Sequence, residues 1–333
     1  MHTQPHLPPV IYGTSCLGNL YTAVPYATKL AIVQECMVHT PGDLVVFDSA
    51  GKYGAGLALE TLGLCLKELA VPPEKVLISN KLGWYRTALT GREPLFEPGV
   101  WKDLKHDAEQ CISFKGILDC YYQGNTLLGH YPAQLLSVHD PDEYLAAASS
   151  AADKEKRFND ILEAYYALQE LKKKGLAQSI GIGSKDWTVI QSIAGKVDLD
   201  WVMIANSLTL HSHPKALIAF IGELHQKNIA VINSAVFNGG FLVGSDHYNY
   251  KKLDPESIEG KQLYNWRERF FAMCSKYSIL PAEACFNYGL HIPGVVSVAL
   301  NTSRPEQVKK NIDMATRQVP QAFWEEMKRE GLL

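Results

Sequence analysis

The chain has 333 residues, 47% of them hydrophobic and 20% charged, the balance of an ordinary soluble globular protein with ample core. Its 32 Lys and Arg against 35 Asp and Glu leave a formal charge of −3, which excludes the basic excess of a nucleic-acid binder. The seven Cys are odd in number without CxxC spacing, Met1 to Pro9 lacks the apolar core of a secretory leader, and no run is apolar enough to span a bilayer, so a reduced cytoplasmic protein without membrane contact is expected.

In chain order, short β-branched runs alternate with longer segments of helical period. The first run is 10–15, followed by 44–50, and then by a helix over 55–69 that sets Leu59, Leu62, Leu66 and Leu69 on one stripe. Runs at 76–83 and 134–141 come next, then a helix over 158–174 with Ile161, Leu162, Tyr165, Leu168 and Leu171 inward. That helix ends at Gly175, and its basic last turn, Lys172 to Lys174, complements the helix dipole. The second half adds runs at 179–184, 200–207, 229–236 and 295–301, with helices over 214–227 and 304–314, the latter opening on Ser303 with Pro305 in its first turn. Eight strand–helix repeats without a linker predict one (β/α)8 barrel over residues 1–333 rather than two domains. Two excursions, 84–110 and 237–263, follow strands at the end where barrel chemistry is built.

Polar residues gather at the predicted strand ends: Asp48, Lys81, His139, then Asn206 and Ser207. Tyr53 lies in the GKYGAG turn after the second strand. A phenol titrates far above neutrality and works as an acid–base group when a cation stabilises its phenolate. Lys81 supplies that cation, Asp48 holds it, and His139 orients a carbonyl or carbinol oxygen. Such a set moves one proton at an alcohol and leaves the hydride to a nicotinamide cofactor. Taken singly, each residue has a plainer reading: a helix cap for Asp48, a solvated charge for Lys81, a turn for His139-Asp140-Pro141, packing for Tyr53. Together at four strand ends they favour chemistry.

Other features read blandly. His211-Ser212-His213 lacks the further ligands of a zinc site and reads as a loop at the mouth; no metal is expected. Cys16 has no paired base and reads as packing. The GKYGAG turn resembles a nucleotide-binding glycine loop, but Asn80-Lys81 stands where a Rossmann unit wants an acid.

The ordered segments GTSCLGNLY (13–21), FDSAGKYG (47–54), SNKLG (79–83), LLSVHDPD (135–142), ALQELKKKGLAQSIGIGS (167–184), NSAVFNGGFLVG (233–244) and SRPEQVKKNI (303–312) resemble the aldo-keto reductase superfamily across nearly the whole chain. GTSCLGNLY, HDPD and FNGG are most similar to its aldose 1-dehydrogenases of the L-fucose, L-galactose and D-threo-aldose type, with pyridoxal 4-dehydrogenase a close relative. The resemblance implies a catalytic tetrad of Asp48, Tyr53, Lys81 and His139, acting on the anomeric hydroxyl of a small sugar to give a lactone. It implies dinucleotide contacts at Gly13, Thr14, Ser15 and Asp48. It adds Ser184 and Asn206, and the segment Ser234, Ala235, Val236, Phe237, Asn238, Gly239, Gly240 and Leu242. Asn301, Thr302, Gln307 and Asn311 complete the set. Tyr21 and Trp84, with Tyr53 and His139, are expected to wall the substrate pocket.

NADP-preferring members clamp the 2′-phosphate with a Lys-Ser pair and an Arg, where this chain has Asn301, Thr302 and Gln307. NAD is the expected cofactor, with NADP the alternative. The family's usual carboxamide contacts are replaced by Gly183-Ser184, Met203 and Ser234-Ala235-Val236. The rival readings are an NADPH-dependent reductase of small aldehydes, a pyridoxal 4-dehydrogenase, and a cofactor-binding regulatory barrel without turnover. Oligomeric state is left open.

Overall fold

The computed structural model describes residues 5–333. Eight strands, β1 (Val10–Gly13), β2 (Val45–Ala50), β3 (Val76–Leu82), β4 (Leu135–His139), β5 (Ser179–Ser184), β6 (Trp201–Ala205), β7 (Ala230–Ser234) and β8 (Val295–Leu300), pair in parallel with their neighbours. The sheet closes where β1 pairs with β8, Ile11 opposite Ala299. The predicted barrel is the observed fold.

Alternation within each strand builds two cores. Ile11, Val46, Leu77 and Leu135 point inward with Trp201, Ala230 and Ile232 and fill the barrel. Their neighbours Val10, Phe47, Ile78 and Leu136 point outward and pack beneath the helices. Sheets covered on both faces have few exposed positions, and all seven residues of β3 are buried. Inside, Trp201 is fully buried and stands opposite Gly181 on β5. A Cβ on Gly181 would run into the indole, so the smallest residue on one strand makes room for the largest on the next.

The helices follow the stripes read from sequence. Leu57–Glu68 buries Leu59, Leu62 and Leu66 completely, each contributing about 1.5–3 kcal/mol. The helix predicted over 158–174 starts earlier, as Ala151–Lys173, because the Ser150 hydroxyl accepts from the Asp153 N–H at 3.1 Å and caps it. It stops before Gly175, whose φ of +73° only glycine adopts at little cost. The last barrel helix runs Pro305–Asp313 and opens after Arg304, not Ser303. The residue before a proline is driven to extended backbone, and Arg304 has φ −121° and ψ 114°.

Both excursions acquire structure over the C-terminal mouth of the barrel. Residues 84–110 contain an antiparallel hairpin, Trp84–Ala88 with His106–Gln110. The Asp107 carboxylate accepts from the N–H groups of Leu95 and Phe96 and ties down its connection. Residues 237–263 hold a small ribbon, His247–Tyr248 with Lys251–Lys252, and then enter the helix Ile258–Lys276. A second helical core around Phe270, Cys274 and Phe323 supports this side. Among the described residues, no helix is long and apolar enough to cross a membrane.

Candidate active site

Parallel pairing brings three of the polar strand-end residues to one side of the mouth. Asp48 lies on β2, Lys81 on β3 opposite Ala50, and His139 ends β4. Tyr53 sits in the turn leaving β2, its N–H donating to the Ala50 carbonyl at 3.1 Å. This turn packs directly on the 3-10 turn Ser15–Gly18: a Cβ added at Gly18 would lie 2.8 Å from the Tyr53 carbonyl. The glycine of GTSCLG therefore serves to seat Tyr53, and GKYGAG is a packed turn rather than a phosphate loop.

The four side chains meet. Lys81 Nζ donates to Asp48 Oδ2 at 2.5 Å, both side chains almost wholly buried. The same ammonium lies 4.9 Å from the centre of the Tyr53 ring. The Tyr53 ring meets His139 edge-on at 5.5 Å and Trp101 at 5.8 Å. His139 Nε2 lies 3.5 Å from Asp140 Oδ2.

Burial dominates the electrostatics here. Desolvation pushes the Tyr53 phenol up to about 12, outweighing the downward pull of Lys81, while Asp48 and Asp140 push it further up. The expectation that Lys81 lowers this group thus holds for the lysine's own effect and not for the net value. Lys81 is itself raised despite burial, because Asp48 holds its charge. His139 is held well below the ordinary histidine value by burial, then by Lys52, Lys81 and Lys185, so it is a neutral imidazole with one N–H to donate. These directions set a pH dependence. A base that must lose its proton gains activity as pH rises, so kcat/KM for alcohol oxidation should climb across neutral and mildly alkaline pH with the phenolate fraction. Carbonyl reduction, which needs the protonated phenol, should stay flat over the same range, because a phenol pushed up to about 12 keeps its proton there. A flat profile for oxidation would show that this phenol does not act as the base.

The tetrad forms the floor of an open cleft of about 550 Å³. Gly13, Ser15 and Asn301 line one side, and the Asn301 amide donates to Ser15 Oγ at 2.9 Å. Ser234 to Phe237, with Gly239 and Gly240, line another. Ser184 also faces the cleft, though its hydroxyl is engaged by the backbone of Asp186 at 3.1 Å. Tyr21 stands at the rim, 55% exposed.

Other predicted residues are elsewhere. The Thr14 hydroxyl donates to the Asp48 carbonyl at 3.0 Å and braces β2 from behind. Thr302 and Asn311 border a separate small cavity beside Tyr12. Gln307 is half-buried on the helix after Thr302. Asn206 and Asn238 are buried beside each other, the Asn238 amide donating to Asn249 Oδ1 at 2.9 Å. Leu242 packs into the second helical core. Trp84 does not wall the cleft. It starts the hairpin, packs on Phe96 at 5.8 Å, and lies beneath Lys52.

The structure adds residues that sequence reading missed. Trp101 occupies the wall expected of Trp84, and its Nε1 donates to Glu97 at 2.7 Å. Lys52, only 5% exposed, reaches Glu97 at 2.8 Å and Glu143 at 3.0 Å. Asp140, Lys185 and Tyr250 also line the cleft. Lys52 and Asp140 were visible inside GKYGAG and HDPD. Trp101 and Glu97 had no local signal, since the site residues they meet, Tyr53 and Lys52, lie just under fifty residues away in the chain. The two histidines of 211–213 are spent on packing: His211 bonds the Tyr248 hydroxyl at 3.0 Å and His213 the Thr209 carbonyl at 3.2 Å. The Cys16 thiol is buried and pushed up to about 12, far from thiolate character.

A dinucleotide fits these residues. The cleft is also lined by Gly183, Met203 and Ala205, an apolar stretch beside Lys81, and the missing side chain at Gly183 keeps it open there. In the same cleft lining, Asp48 Oδ1 and His139 Nδ1 are buried without a protein hydrogen-bond partner. Ser15, Asn301 and the Ser234–Gly240 segment offer polar edges along the rest of the cleft.

The model of the aldo/keto reductase family matches residues 9–330. Pyridoxal 4-dehydrogenase of Microbacterium luteolum is 26% identical over 335 residues, covering 96% of this chain and 93% of that one. D-threo-aldose 1-dehydrogenase of a Pseudomonas species is 25% identical over 340 residues, covering 98% and 95%. Among solved structures, an aldo-keto reductase of Bacillus halodurans in its holo form superposes with a TM-score of 0.70 at 18% identity, over 100% of this chain and 94% of that one. The glycerol dehydrogenase of Gluconobacter oxydans gives 0.70 at 14%, over 98% and 92%. At such identities the solved structures speak for the fold alone.

Proposed function

The chain belongs to the aldo/keto reductase family of NAD(P)(H)-dependent oxidoreductases, and we propose that it oxidises the anomeric hydroxyl of an aldose to the lactone, with NAD as the preferred cofactor. The observation that carries this reading is the buried Tyr53–Lys81–Asp48 line beside a neutral His139, at the foot of a cleft lined by Trp101 and the carboxylate of Asp140. An aromatic side chain next to a carboxylate with acceptor capacity suits a ring carrying hydroxyls.

In this proposal the sugar's C1 hydroxyl lies between Tyr53 and His139. The His139 N–H donates to its oxygen and fixes its direction. The Tyr53 phenolate takes the hydroxyl proton as the carbonyl forms. Lys81 steadies the negative phenolate oxygen through its fixed charge, and Asp48 holds Lys81 in register. A bound oxidised nicotinamide supplies the acceptor for the hydride leaving C1.

NAD is favoured because Asn301, Thr302 and Gln307 carry no charge for a 2′-phosphate. Of the three cations close by, Arg304, Lys309 and Lys310, Lys309 is already paired with Asp313 at 2.7 Å. The two curated relatives, one named for an aldose and one for pyridoxal, define the panel that tests the proposal. Purified enzyme with NAD⁺ or NADP⁺ is offered aldoses, L-fucose and L-galactose among them, and pyridoxal, and followed at the nicotinamide absorbance. Oxidation of at least one aldose, faster with NAD⁺, is expected. Turnover of pyridoxal alone, or reduction of small aldehydes with NADPH alone, would replace the sugar reading. Cofactor binding without turnover on any of these would make the protein a regulatory barrel.

A further inference from the structure

Among the three carboxylates around Lys52, Asp140 stands apart. Glu97 is held by Lys52 at 2.8 Å and by the Trp101 indole at 2.7 Å. Glu143 is held by Lys52 at 3.0 Å and Lys185 at 2.5 Å. Asp140, directly on the cleft, has Lys52 at 3.8 Å and His139 Nε2 at 3.5 Å, both longer than an ordinary hydrogen bond. Its side chain is 17% exposed. A half-buried carboxylate with acceptor capacity to spare, facing the cavity, is a recognition group awaiting a donor.

The location narrows what that donor is. Asp140 Oδ2 lies 3.5 Å from the Nε2 of the histidine beside the Tyr53 ring. An oxygen held by His139 at the reacting carbon would leave Asp140 within reach of a hydroxyl on the next carbon. Only a donor satisfies a carboxylate, so an ether or a methyl group there would leave the charge unpaired. The ammonium groups of Lys52 and Lys185 keep negative charge on Asp140 tolerable, although burial still pushes its carboxyl up to about 6. Its backbone is left-handed, with φ of 44° at the start of the short helix Pro141–Ala146, and its side chain does not cap that helix.

We propose that Asp140 is a specificity-determining residue that accepts a hydrogen bond from the hydroxyl on the carbon adjacent to the reacting one, so that the enzyme selects α-hydroxy carbonyls and the corresponding vicinal diols or 2-hydroxy sugars. This deepens the aldose reading of the same site. Simple aldehydes and alcohols, which leave Asp140 unpaired, are discriminated against. Because the neighbouring Glu97 and Glu143 are spent on lysines, the preference rests on this one carboxylate.

The test compares reduction of 2-hydroxypropanal with that of propanal by the enzyme and NADH, read as the ratio of kcat/KM values. A hydrogen bond to a charged group corresponds to about 10- to 100-fold in the wild-type ratio. Asp140→Gly, which tolerates the positive φ, should bring the ratio to about one, and Asp140→Asn, a neutral acceptor of the same shape, should leave it in between. Equal rates on the two aldehydes in the wild type, or no reduction of 2-hydroxypropanal, overturns the proposal without any variant. So does a ratio unchanged in Asp140→Gly. Neither aldehyde is a sugar, so the outcomes separate: failure of the aldose panel with this preference intact removes the dehydrogenase reading only, and loss of the preference with aldoses still oxidised removes only the role of Asp140.

Discussion

Replacing Tyr53 by Phe should lower kcat for alcohol oxidation by about 100- to 10,000-fold, the range spanned by general acid–base groups. The substitution removes one oxygen and little else. The ring contacts to Trp101 and His139, at 5.8 Å and 5.5 Å, are made by carbon and persist in Phe. Lys81 keeps Asp48 at 2.5 Å, so no buried charge is stranded. Stability should therefore change by less than about 1 kcal/mol, and affinity for the dinucleotide should stay close to wild type. Initial rates, a melting curve and cofactor binding measured on one preparation separate these quantities. Activity within tenfold of wild type in a folded variant would show that another group takes the proton.

The second large effect is on stability as well as rate. Lys81 and Asp48 form an ion pair with side chains only 5% and 6% exposed, and Asp48 Oδ1 has no further partner. Removing either charge alone leaves its partner buried and uncompensated, at a cost of about 3–5 kcal/mol. Lys81→Met and Asp48→Asn should each lower the melting temperature and abolish most turnover. The double variant should recover much of the stability, since two neutral groups of similar shape carry no desolvated charge. It should recover no activity, because the phenolate of Tyr53 would lose the cation that offsets its burial. Single variants as stable as wild type would show that this pair is not desolvated in solution. Activity restored in the double variant would remove the charge of Lys81 from the chemistry.

The barrel was legible in the sequence because its physics is local and repeated. Each strand is a short β-branched run, and each helix shows its buried stripe, as in Leu59, Leu62 and Leu66. Where boundaries moved, a local group moved them: Ser150 capping a longer helix, Pro305 pushing Arg304 out of one. The tetrad residues were also legible, since parallel strands bring their C-terminal ends to one face whatever the details of packing. The wall of the cleft was not. Trp84 and Trp101 both lie in the 84–110 excursion, and nothing in the local pattern says which indole reaches Tyr53. Asp107 folds the hairpin so that Trp84 is tucked under Lys52 and Trp101 comes forward.

By itself the sequence determined the closed parallel barrel and the placing of Asp48, Tyr53, Lys81 and His139 at its mouth, because hydrophobic period and strand direction are written along the chain. Tertiary structure decided how those side chains behave. It decided that burial holds the Tyr53 phenol high against the pull of Lys81, and that Lys52 engages Glu97 and Glu143. It also decided that Asp140 is the carboxylate left with acceptor capacity beside His139. Charges and desolvation act through space at a few ångströms, between residues far apart in the chain, and only the fold sets those distances.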